Sequence, residues 1–109
     1  MGAITSMSLA LLAGAMLLPA NAAVAQDARE RRGGELLSRD LCSQCHIVSE
    51  TQRGSAPDGI PSFLDLARSK RTNAQLRAWL TDPHPPMPDV PLSEREISSV
   101  IAYIRSFSD

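Results

Sequence analysis

The sequence predicts an all-α domain with three to four short helices and long loops. Two capping-box patterns, Thr72 with Gln75 and Ser93 with Glu96, each stand directly before an apolar stripe of helical period. In such a box each side chain satisfies an orphan amide at the helix start. No segment argues for a strand, and the connections are rich in proline and other turn residues.

The chain has 109 residues, and the first 25 carry no charged side chain, whereas all 11 basic and 12 acidic residues follow. Ser8 to Pro19 is an apolar run, shorter than the roughly 20 residues that span a bilayer. The small residues Ala23, Val24 and Ala25 after it suit a signal peptidase. Residues 1–25 are therefore expected to be a secretory signal and residues 26–109 one domain. The destination is the periplasm, with no stable membrane insertion once the leader is removed. No Lys or Arg stands near the start, so an uncleaved anchor is the alternative.

The first helix is expected from about Gly34 to Leu41, with Leu37 and Leu41 on one face. A second starts near Ser62, where Phe63, Leu66 and Ala67 share a stripe. A third opens at Thr72, carries Leu76, Trp79 and Leu80 on one side, and must stop before Pro83. The last follows Ser93, with Ile97, Val100, Ile101, Ile104 and Phe107 at helical spacing. The long loop "ETQRGSAPDGIP" separates the first two helices, as a segment that wraps a ligand would.

A domain of this size needs help to fill a core, and only Phe63, Trp79, Tyr103 and Phe107 are aromatic. A disulfide, metal or cofactor is expected to supply the rest. The net charge of −1 does not point to nucleic acid.

"CSQCH", Cys42 to His46, is the strongest short motif. A redox-active disulfide would sit beside a βαβ pattern that is missing here. Zinc needs four ligands at spacings unlike that of His46 and His84. Covalent haem attachment fits best: cysteines three apart on a helical turn can bond two vinyl groups of one porphyrin, with the next histidine offered to the iron. Met87 is the one methionine after the leader, framed by "PHPPMPDVP" with five prolines in nine positions. Prolines hold the backbone stiff, and a thioether opposite histidine is an electron-transfer arrangement. Met87 is thus the expected sixth ligand; His84 is the alternative, or a solvated loop residue.

The chain resembles a class I monohaem cytochrome c of the small bacterial exported type. "GELLSRDLCSQCH" is similar to that family's first helix, "PPMP" to its methionine loop and "LSEREISSVIAYI" to its final helix. The resemblance implies the cytochrome c fold, one haem c bound through Cys42 and Cys45, and axial ligands His46 and Met87. It also implies that the first and last helices cross, with Gly34 and Leu37 meeting Tyr103 or its neighbours. "IPSF" is similar to the segment whose proline carbonyl accepts the proximal imidazole proton, suggesting Pro61, with Pro57 as the rival.

Trp79 is expected to pack on the porphyrin. Arg68, Lys70, Arg71 and Arg77 read as a solvated face or as cations offsetting the haem propionates. The implied role is a one-electron carrier rather than an enzyme, monomeric, working between a redox donor and a redox acceptor protein. The rivals are a gas sensor or peroxidase-like protein with a labile sixth ligand, and a metal-free thiol–disulfide module.

Overall fold

The computed structural model describes residues 20–83 and 85–108, together with Gly2 and Gly14. Four helices follow one another: α1 (Ala20–Leu41), α2 (Phe63–Arg68), α3 (Asn73–Thr81) and α4 (Glu94–Arg105). There is no strand among the described residues. The domain is all-α, as the pattern predicts.

The first helix departs from expectation. It begins at Ala20 rather than near Gly34 and runs straight through the Gly33–Gly34 pair. Two glycines lower helix propensity, which is why the sequence suggests a start there. Alanine-rich sequence before them favours the helix instead. Farther along, Glu35 is bridged by Arg32 and Arg39, each at 2.9 Å. Such pairs three and four residues apart support an exposed helical face. Residues 20–29 are exposed throughout, so this first part of α1 gains nothing from the core.

The other helices start where their caps place them. Ser62 caps α2 by accepting from the Asp65 amide at 3.0 Å. Both predicted capping boxes form in full, Thr72 with Gln75 on α3 and Ser93 with Glu96 on α4. The Ser93 amide and hydroxyl hold the Glu96 carboxyl below the usual carboxylate range.

α4 is the spine of the domain. Its Ile97, Val100, Ile101, Tyr103 and Ile104 are buried and join Val48, Phe63, Leu66, Ala67 and Leu76 in one core. It pairs most extensively with α1 and also packs on α2 and α3. The α1–α4 crossing is close because Gly34 has no side chain: a Cβ there would lie 1.9 Å from the Ser99 carbonyl oxygen and 2.9 Å from Tyr103 Cβ.

Tyr103 then reaches past the crossing. Its hydroxyl donates to the Val48 carbonyl at 2.6 Å, a buried bond that ties the segment after "CSQCH" to α4. Tyr103→Phe would leave that carbonyl unpaired, at a cost of about 1–2 kcal/mol. The expected result is a lower urea midpoint with an unchanged slope; an unshifted midpoint would show that the bond contributes nothing.

Candidate functional site

The site begins at the C-terminal end of α1. The Cys42 and Ser43 amides both donate to the Ser38 carbonyl, at 2.9 and 3.1 Å, so the helix closes in a tight turn. The Cys45 and His46 amides donate in turn to the Cys42 carbonyl, at 3.2 and 2.9 Å. This turn carries both thiols and the imidazole within one helical pitch. The two cysteines are free thiols, Cys42 half-buried and Cys45 exposed. Burial pushes the Cys42 thiol up to about 11.

His46 is oriented from the next loop. Its Nδ1 lies 2.7 Å from the Pro61 carbonyl oxygen. A carbonyl can only accept, so Nδ1 carries a proton at this contact, and in the neutral ring the lone pair is left on Nε2. The Pro57 carbonyl is occupied elsewhere, accepting from the Ile60 amide at 3.1 Å. Gly59 makes the turn that brings Pro61 into place, with φ +83°, a left-handed conformation other residues rarely adopt. The Phe63 ring packs 5.7 Å from the imidazole, centroid to centroid.

Gln52 closes the same segment, and no local sequence pattern announces it. Its side-chain carbonyl accepts from the Val48 amide at 2.8 Å. Its amide donates to the His46 carbonyl at 3.1 Å and more weakly to that of Ser43 at 3.4 Å. One side chain thus staples the backbone on both sides of the imidazole.

The C-x-x-C-H turn and Pro61 open onto an apolar cleft of about 300 Å³. Cys42, Cys45, His46 and Pro61 line it together with Trp79 from α3 and Met87 from the proline loop. Leu37, Leu76, Leu80, Val100 and Ile104 supply further apolar wall. His84 lies outside the described residues. Among those described, no group of three His, Cys, Asp or Glu side chains could hold a metal ion. No described helix is long and apolar enough to cross a membrane.

The cleft brings the two thiols, the imidazole and Met87 to one apolar space, a lining that suits a flat, apolar cofactor. Helices α1 and α4 crossing beside a C-x-x-C-H turn define the class of c-type cytochromes. The chain is 39% identical over 74 residues to cytochrome c-552 of Bradyrhizobium diazoefficiens, an alignment covering 67% of this chain and 70% of that protein. No family model matches the chain, and no solved structure matches it. The chain belongs to the small monohaem class I c-type cytochromes.

Proposed function

We propose that the protein is an exported one-electron carrier whose single haem is tethered by Cys42 and Cys45 and ligated by His46 and Met87. The observation that carries this reading is the convergence of the C-x-x-C-H turn and the Met87 loop on one apolar cleft. Kinship with a protein named as a cytochrome supports it. In this reading residues 1–25 are removed on export, and residues 26–109 work in the periplasm between redox partner proteins.

The cofactor supplies reversible one-electron exchange between ferrous and ferric iron. The chain's part is to bind, orient and exclude water. Pro61 fixes the His46 tautomer so that Nε2 is free to ligate. Gln52 restrains the backbone that carries the imidazole. Prolines 86 and 88 stiffen the chain on either side of Met87, which favours a bound thioether over an open site. Leucine, isoleucine and valine walls lower the local dielectric, which disfavours the extra charge of the ferric form and raises the potential. The reading calls for no acid, base or nucleophile.

Expression with periplasmic haem attachment tests this directly. Under denaturing conditions the mass should be that of residues 26–109 plus one haem, and the double variant Cys42→Ser/Cys45→Ser should lose the adduct. A wild-type chain that releases its haem on denaturation would rule the tether out.

A further inference from the structure

The connection between α2 and α3 is unusually well held. The Arg71 amide donates to Ser69 Oγ at 3.4 Å, and the Arg71 carbonyl accepts from an Arg105 guanidinium nitrogen. Arg105 is itself anchored, Nε donating to Asn73 Oδ1 at 2.7 Å and Nη1 reaching the Ala67 carbonyl at 3.5 Å. The last helix therefore fixes the backbone from which the Arg71 side chain departs. That side chain ends with its guanidinium carbon 4.1 Å from the centroid of the Trp79 ring. Trp79 lines the cleft.

The neighbouring cation does not share this position. Arg77 is turned to α4, donating to Glu94 at 2.7 Å and to Ser98 Oγ at 2.9 Å. Arg71 is the half-buried cation seated on an aromatic wall of the cofactor cleft. A guanidinium over an indole face is held by the ring quadrupole, more strongly where water is partly excluded.

We propose that Arg71 is a positioning residue for the electron carrier: it pins Trp79 in the cleft wall and, as a fixed positive charge behind it, biases the iron toward the ferrous state. The inference rests on the electron-carrier reading. Its physical basis is that ferric iron carries one more positive charge than ferrous iron. A fixed cation in a poorly solvated wall disfavours the more charged form. Arg105 contributes by holding the Arg71 backbone rather than by facing the cleft.

The test is a spectroelectrochemical titration of the exported holoprotein, comparing wild type with Arg71→Gln and Arg71→Lys. Arg71→Gln is expected to shift the one-electron equilibrium about threefold toward ferric. At 59 mV per tenfold, that lowers the midpoint by about 28 mV. The sulfur-to-iron absorption band should stay intact. Arg71→Lys keeps a cation that can sit over the ring and should recover at least half of the shift. An unchanged potential in Arg71→Gln overturns the proposal. So does a lysine variant displaced as far as the glutamine one, since the contact would then act through packing alone. Arg71→Met, apolar and of similar length, gives the same reading if the glutamine variant does not accumulate. A wild-type chain without haem sinks the electron-carrier reading and this proposal together, whereas bound haem with an unresponsive potential sinks the proposal alone.

Discussion

Met87→Ala is expected to abolish the weak long-wavelength sulfur-to-iron band of the ferric protein and to convert the iron from low to high spin. The midpoint potential should fall by hundreds of millivolts, within the roughly 0.8 V that axial ligation spans across haem proteins. No other methionine follows the proposed leader. Met87 is half-buried in the cleft that His46 also lines. Alanine at this position leaves the prolines in place, so the loop keeps its stiffness and loses only the sulfur. That separates ligation from loop packing. If the wild-type band is absent, the sixth position is open or held by another group such as His84, and the sensor or peroxidase-like reading moves ahead. A band that survives the substitution would show that Met87 is not its source.

Gly34→Ala is the second large effect, and it acts on stability. The added methyl would lie 1.9 Å from the Ser99 carbonyl oxygen and 2.5 Å from its carbonyl carbon. Both are backbone atoms of α4, so no rotamer change relieves the clash and the two helices must separate. Overpacking of this kind costs about 3 kcal/mol. For a domain of this size each kcal/mol moves the melting temperature by about 4–8 °C, so a fall of roughly 12 °C or more is expected. Gly33→Ala is the matched control, because its methyl would meet only Ser99 Oγ, at 3.9 Å. There the gain in helix propensity, up to about 1 kcal/mol, should dominate and the protein should melt at the same temperature or higher. Equal melting temperatures for the two variants would remove the close crossing from the account.

Local patterns explain what the sequence discloses about this molecule. Thr72 with Gln75 and Ser93 with Glu96 are short-range devices, and their boxes form where the spacing places them. Cys42, Cys45 and His46 stand in one pentapeptide, and Met87 is marked by its prolines, so these candidates can be named without coordinates. The N-terminal extent of α1 is less legible because Gly33 and Gly34 argue locally against a helix, while the crossing with α4 requires Gly34 inside one. Partners brought together only by folding leave no pattern at all. The Tyr103 hydroxyl meets Val48, Gln52 meets His46, and Arg105 meets Arg71 only after the chain has folded. A glutamine in a turn-rich loop looks like any solvated residue. The Pro61 carbonyl lies between these cases: resemblance suggests it beside Pro57, and only the geometry puts it 2.7 Å from the imidazole.

The crossing at Gly34 and Ser99 also has a kinetic meaning. It joins the first described helix to the last, so the central contact of the domain is among its most distant in sequence. Such contacts bring no reward until the whole intervening loop is closed. α2 and α3 are short, and isolated helices of six and nine residues are marginal in water. They therefore wait for α4 to provide a surface. A nascent chain emerging from its amino end has no partner for α1 until α4 emerges. Until α4 packs on α1, the C-x-x-C-H segment is expected to stay accessible, which in the exported reading leaves the Cys42 and Cys45 thiols within reach before the fold closes over them.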